Sequence, residues 1–251
     1  MNPPVRRGRT LRAAGALLVL APLAACGGGD DGETLTVLAA SSLTDVYGEL
    51  ATDFEEEQGV EVEFSFGSST DLAEQAADGA PGDVLSTADQ ASMQVVEDAG
   101  ASGDVVAFAT NVLVIVTPRD NPAGIEGLDD LVDATWVRCA DEVPCGRVAL
   151  GVLEANGVTA EPASLEQDVR ATLDKVISGE AEAGLVYATD AVAAGDDVET
   201  IQIPGSEGQL TSYFAAPLED AADADLARAW VDLLTSETGQ QALTDAGFTL
   251  P

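Results

Sequence analysis

Histidine is absent from all 251 residues. Its absence removes the commonest general base, the Ser-His and Cys-His nucleophile pairs, and the commonest metal ligand. Lysine is almost as scarce: Lys175 stands alone, so a serine nucleophile activated by lysine has a single candidate partner. Basic residues number ten against 45 acidic ones, and Arg6, Arg7, Arg9 and Arg12 all fall near the N-terminus. The rest of the chain is therefore strongly negative, which repels nucleic acid and anionic lipid headgroups and makes neither an expected partner. No internal repeat is visible. These absences disfavour an enzyme before any motif is considered.

The N-terminal arginines precede AAGALLVLAPLAA, a short apolar core ending in small residues. This is the three-part pattern of a secretory signal, and the apolar run is too short for a comfortable membrane span. It closes on Leu23, Ala24, Ala25 and Cys26, which resemble the lipobox of bacterial lipoproteins. The resemblance implies a signal peptide over 1–25, cleavage before Cys26 and acylation of its sulfur. The expected location is then the outer face of the cytoplasmic membrane, with contact to the membrane through the lipid anchor only. Residues 26–33, rich in glycine and acid, read as a flexible tether. The remaining cysteines, Cys139 and Cys145, lie close together in WVRCADEVPCGRV. In an exported chain such a pair reads as a disulfide rather than a metal site, which needs further soft ligands. A loop this short gives only about 2 kcal/mol of chain-entropy stabilisation, so its larger effect is on loop shape.

Beyond the tether, apolar runs alternate with amphipathic helices. Strands are expected at 34–40, 60–66 and 83–88. The intervening helices place Leu43, Val46, Tyr47, Leu50 and Phe54 on one face and stop the third at Gly100. A longer strand, NVLVIVTP at 111–118, precedes a second set of similar units: strands at 135–140 and 183–188, helices at 146–156 and 167–179. Strands at 198–204 and 210–218 and two terminal helices complete the chain. This order predicts an α/β fold of two lobes, each with a mainly parallel sheet covered on both faces. The expected lobes are 34–112 with 213–251, and 113–212. Ligands of such sheets bind beyond the carboxyl ends of strands, and two facing lobes make a cleft that a hinge can close.

Four strand-to-helix joints stand out: AASSLTD with Ser41 and Ser42, FGSSTDL with Ser68, Ser69 and Thr70, VPCGRVA, and LEQDVRATL with Asp168 as N-cap. Each alone reads as a capped helix start. Grouped at the ligand-binding end of the sheets, their N–H groups and dipoles form a seat for one anion. The segments VLAASSLTD, FGSSTDLAEQ, GAPGDVLSTADQASM, VPCG, QDVRATL, AGLVYATDA and AGFTLP, in that order from Leu35 to Pro251, resemble the bacterial periplasmic molybdate-binding proteins. The resemblance implies a type II periplasmic binding protein fold and the capture component of an ABC importer for molybdate, and tungstate as well. The expected partners are the importer's permease and ATPase subunits, the expected state a monomer, and the expected cofactor none.

The same resemblance implies oxyanion contacts at Ser42, Ser69, Cys145, Val169 and Tyr187. Cys145 departs from the family, which more often has alanine there, and a Cys139–Cys145 bond bears on that contact. Arg170 is expected to be structural. A site of neutral donors around a dianion favours molybdate, tungstate and sulfate over hydrogen phosphate, whose proton needs an acceptor; the longer metal–oxygen bonds then separate the first two from sulfate. The alternatives are a binding protein for another tetrahedral oxyanion such as sulfate, a sensor domain, and a serine hydrolase using the Ser41–Ser42 turn, which lacks the G-x-S-x-G spacing.

Overall fold

The computed structural model describes residues 33–251. The expected signal peptide, Cys26 and all but the last residue of the tether lie outside the described residues. Among those described, no helix is long and apolar enough to cross a membrane.

The chain first builds β1 (Thr34–Ala40), α1 (Thr44–Gln58), β2 (Glu61–Gly67), α2 (Ser69–Ala77), β3 (Val84–Thr87), α3 (Gln90–Ala99) and β4 (Val106–Asn111). It then builds β5 (Leu113–Pro118), β6 (Trp136–Cys139), α4 (Pro144–Ala155), β7 (Ser164–Glu166), α5 (Val169–Ile177), β8 (Ala183–Tyr187), α6 (Ala188–Ala194) and β9 (Val198–Gln202). Finally β10 (Thr211–Pro217), α7 (Ala224–Thr235) and α8 (Glu237–Asp245) complete it.

Two five-stranded sheets result, in the orders β2-β1-β3-β10-β4 and β7-β6-β8-β5-β9. In the first, β1 runs parallel to β2 and β3, while β10 is antiparallel to β3 and β4. In the second, β6 runs parallel to β7 and β8, while β5 is antiparallel to β8 and β9. The expectation of mainly parallel sheets therefore needs one refinement: each sheet holds one reversed strand, and it is the strand that arrives from the other sheet. The two halves are built to one plan.

The crossing is sharper than the sequence suggests. The apolar run 111–118 reads as one strand, but Asn111 ends β4 and Leu113 begins β5, leaving Val112 as the only residue between the sheets. The Val112 N–H donates to Asn111 Oδ1 at 3.0 Å, so the asparagine side chain serves the amide that has left the ladder. Three elements went unforeseen: β4, the short β7 and α6. β7 has only three residues and α6 fewer than two full turns, while β4 is long enough but its burial does not alternate.

The helix and strand patterns do decide the layers. β1 is buried along almost its whole length as a central strand, whereas edge strand β2 turns Glu61 and Glu63 outward and Val62 inward. Charge on the outer strand discourages pairing with another chain. α1 buries Val46, Tyr47, Leu50, Ala51 and Phe54 and stops at Gly59, whose positive φ of 72° lets its N–H reach Glu55 O. Asp83 ties the layer together below the sheet: its carboxylate accepts from Thr36 N and Ala222 N, each at 2.7 Å.

Trp230 of α7 is the centre of the first core. It is fully buried and meets Tyr47 edge-on at 5.3 Å and Phe54 at 5.1 Å between ring centroids. Truncation leaves a cavity that these rings cannot fill by side-chain rotation, so Trp230→Ala is expected to cost about 3–5 kcal/mol. Urea denaturation of the two proteins measures this; a loss under about 1 kcal/mol would contradict the packing described.

Candidate functional site

The ends of β1, β2, β7 and β8, together with the loop after β6, converge on one cavity. Ser41 and Ser42 enter it after β1, Ser68 and Ser69 after β2, Pro144 and Cys145 after β6, Asp168 and Val169 after β7, and Tyr187 at the end of β8. It holds at most about 220 Å³ of empty space, below the roughly 300–1,000 Å³ of pockets for drug-sized organic ligands. Ser42, Ser69, Cys145, Val169 and Tyr187, the five residues singled out from sequence, all line this cavity and come from both sheets.

Serine and aspartate at helix starts normally cap them. Here three of the four starts are uncapped. A 3₁₀ turn at Ser41–Leu43 leads into α1, and neither has a side-chain cap. α2 begins after Ser68 and α4 after Val143, again without a side-chain cap. Only α5 is served, by Asp168 accepting from Ala171 N at 3.0 Å. Helices that start elsewhere are conventional: Asp89 caps α3, Asp223 caps α7 and Ser236 caps α8. The first-turn N–H groups of a helix have no intrahelical partner, so the cavity wall is rich in donors that the protein itself does not satisfy.

Local sequence sets how close these donors come. Pro144 has no N–H, so Cys145 supplies the first one of α4. Gly146 lets that turn press against the preceding loop, since a Cβ there would lie 1.7 Å from Ala140 O. The Cys139–Cys145 disulfide expected from sequence is formed and closes the same loop, with Cα atoms 5.7 Å apart.

Side-chain hydroxyls add to the set. Ser69 Oγ accepts from Ala88 N at 2.9 Å, which leaves its proton free for the cavity. Ser42 Oγ lies 2.8 Å from Tyr213 Oη. Asn111 Nδ2 approaches Tyr213 Oη at 3.5 Å and donates to Thr189 Oγ1 at 2.9 Å, its orientation fixed by Val112 N on Oδ1. Tyr213 therefore receives from Asn111 and shares a hydrogen bond with the Ser42 hydroxyl, which holds that hydroxyl at the cavity wall. The Tyr187 hydroxyl is buried without a hydrogen-bond partner among the described residues. Burial, with smaller contributions from Tyr213, Asp89 and Asp190, raises its pKa well above the usual 10 against the opposing pull of the Thr211 side chain, so it stays neutral.

No lysine or arginine lines the cavity; its one acidic residue is Asp168. The nearby arginines are held by carboxylates. Arg170 pairs with Asp45 of α1 and lies 3.1 Å from buried Asp190, as its structural reading from sequence anticipates. Arg147 of α4 reaches across to Asp89 at 2.6 Å and to Ser92 and Thr70 at 3.2 and 3.3 Å. The two sheets' helices are thus bridged on both flanks of the cavity. Sequence reasoning missed Arg147, Asn111 and Tyr213, because no local pattern announces a contact across so many residues.

Comparison with known proteins places these features in context. Residues 35–249 match the family model described as bacterial extracellular solute-binding protein. The chain is 34% identical to the molybdate-binding protein ModA of Mycobacterium tuberculosis, over 93% of this chain and 95% of that one. The solved periplasmic molybdate-binding protein of Azotobacter vinelandii superposes with a TM-score of 0.78 at 21% identity, covering 86% of this chain and 99% of that one. The sulfate-binding protein SubI of Mycobacterium tuberculosis does so with 0.75 at 18%, covering 86% of each. Fold likeness of this degree does not choose among anions.

Asp190 gives the site a pH signature. Burial raises its pKa from 3.8 to about 7, against the opposing pull of Arg170 and of the Tyr187 N–H, which donates to Oδ2 at 3.2 Å. The unfolded chain releases this proton first, so the contribution to stability is complete below about pH 4 and is lost as pH rises through about 7. Asp190→Asn removes that dependence. Between pH 4 and 7 the stability of the variant relative to the parent is expected to rise with pH in denaturant titrations; parallel profiles would refute the assignment.

Proposed function

The chain belongs to the bacterial extracellular solute-binding protein family, and from that premise we propose that it captures molybdate, and tungstate as well, for an ABC importer. The observation that carries this reading is the convergence of uncapped helix starts and inward hydroxyls on one small cavity without a cation in its wall. Such a set suits a small, fully deprotonated oxyanion, since each N–H and O–H gains a charge-assisted bond in a dry site. The 34% identity to a molybdate-binding protein over nearly the whole chain supports molybdate in particular.

In this mechanism Ser42 and Ser69 contribute hydroxyl and backbone protons, Cys145 and Val169 backbone N–H, and Tyr187 its phenol. No acceptor is needed for a dianion such as molybdate, whereas hydrogen phosphate brings a proton for which the wall offers one carboxylate, Asp168, already engaged as the cap of α5. Sulfate has the right charge but shorter bonds, and it is the second reading because a wall of donors without a cation serves any fully deprotonated tetrahedral oxyanion. The two sheet halves act as lobes that close on the ligand, Asn111 and Thr211 marking the crossings between them. The role is binding rather than catalysis: Lys175, the only lysine, pairs with Glu166 at 2.7 Å and donates to Ser164 at 3.0 Å, on strand β7. The protein acts as a monomer, needs no cofactor, is held outside the cytoplasmic membrane by a lipid on Cys26, and delivers its cargo to a permease and ATPase.

Calorimetry of the soluble domain with molybdate, tungstate, sulfate and phosphate tests the proposal. The first two are expected to bind far more tightly; equal binding of sulfate or phosphate would overturn the selectivity. Ser42→Ala, Ser69→Ala and Tyr187→Phe are each expected to weaken molybdate by about 1–3 kcal/mol. Unchanged affinity in all three would move the site elsewhere.

A further inference from the structure

Ser68 is the wall residue that neither the fold nor the contacts above account for. It occupies the N-cap of α2 with extended backbone, φ −62° and ψ 127°, where a serine ordinarily accepts a bond from the first turn of the helix. Its side chain makes no such bond. The residue is only 6% exposed, and its Oγ is buried with no hydrogen-bond partner among the described residues. A hydroxyl so placed destabilises the protein that holds it, because water has been removed and nothing has replaced it. A cap bond to α2 would cure the deficit locally, yet none forms, and the residue belongs to the cavity wall.

Two buried hydroxyls lack partners among the described residues, Ser68 and Tyr187, and both line the same cavity. They come from opposite sheets, Ser68 from the end of β2 and Tyr187 from the end of β8. Ser69, one residue along, differs: its oxygen already accepts from Ala88 N. Ser42 is likewise engaged with Tyr213. Ser68 thus has its whole hydrogen-bonding capacity in reserve for a guest.

We propose that Ser68 is a further ligand-contacting residue, donating its hydroxyl proton to the bound oxyanion opposite Tyr187. This rests on the oxyanion reading above. It makes the pair of unpartnered hydroxyls a clamp: one oxyanion satisfies both, and does so only when the two halves stand together. It also predicts an inverse relation between binding and bare stability at this position, since the orphan hydroxyl is a burden until the ligand arrives.

Molybdate calorimetry and urea denaturation without ligand, on the parent protein and Ser68→Ala, test this. The expected result is about ten- to a hundredfold weaker molybdate binding, as for loss of a bond to a charged oxygen, with the unliganded variant as stable as the parent or more so. Parent-like affinity in Ser68→Ala overturns the proposal. So does a fall in unliganded stability, which marks Ser68 as a helix cap after all. If the parent itself binds neither molybdate nor tungstate, the oxyanion reading fails and this inference with it.

Discussion

Donors without acceptors are the constraint on which this structure turns. Backbone N–H groups at the first turns of helices have no partner within the helix, and buried ones must find one or destabilise the fold. Elsewhere in this protein Asp89, Asp223 and Ser236 meet that demand. Around the cavity the demand is left open at three starts, and the hydroxyls of Ser68 and Tyr187 are left open with them. A cation would deepen the deficit, and an apolar guest would leave it. A compact anion with oxygens in every direction removes it.

The fold supplies this concentration of donors by repetition. Each sheet places parallel strands so that their carboxyl ends open on the same side, where β1, β2, β3, β6, β7 and β8 lead into helices and β4 and β9 cross to the other sheet. The reversed strands, β5 and β10, make the crossings between sheets, and the polar network under the cavity sits on them or beside them. Asn111 ends β4 at the first crossing, and Tyr213 lies on β10 just after the second. Through Tyr213 the Ser42 hydroxyl is tied to the same residues that join the halves. Ligand geometry and inter-sheet geometry are therefore not independent here.

Much of this was legible in the sequence, and what was not has physical reasons. The central strand 34–40 and the face of α1 declared themselves because burial imposes a period on side chains. The short β7 escaped because three residues cannot show one, and β4 because its burial does not alternate, Phe108 and Ala109 both being buried; α6 escaped because it begins directly after Tyr187 with no spacer. Two of the joints are visible as serine clusters, at 41–42 and 68–70; taken singly each joint reads as a capped helix, whereas only α5 is capped by its side chain. Which of three consecutive hydroxyls at 68–70 faces inward is a matter of rotamer and neighbour, not of composition. Thr70 in fact turns to Glu142 O at 2.9 Å across the sheets. Arg147 was silent for the same reason, since its partners Asp89, Ser92 and Thr70 are far away in the chain.

The charge of the protein sharpens the argument about how an anion is held. With 45 acidic residues against ten basic ones, the long-range field opposes the approach of a dianion. Screening limits that opposition to about 8 Å at physiological ionic strength, and within the cavity only contacts at hydrogen-bond distance matter. Two arginines stand close by, but Arg147 is committed to Asp89, and Arg170 to Asp45 and Asp190. Their charge is spent on joining the two halves rather than on attracting cargo. A binding protein arranged in this way gains little from fast capture. What holds a dianion here is then a matter of contacts at hydrogen-bond distance and of the bridges that keep the two halves together around them.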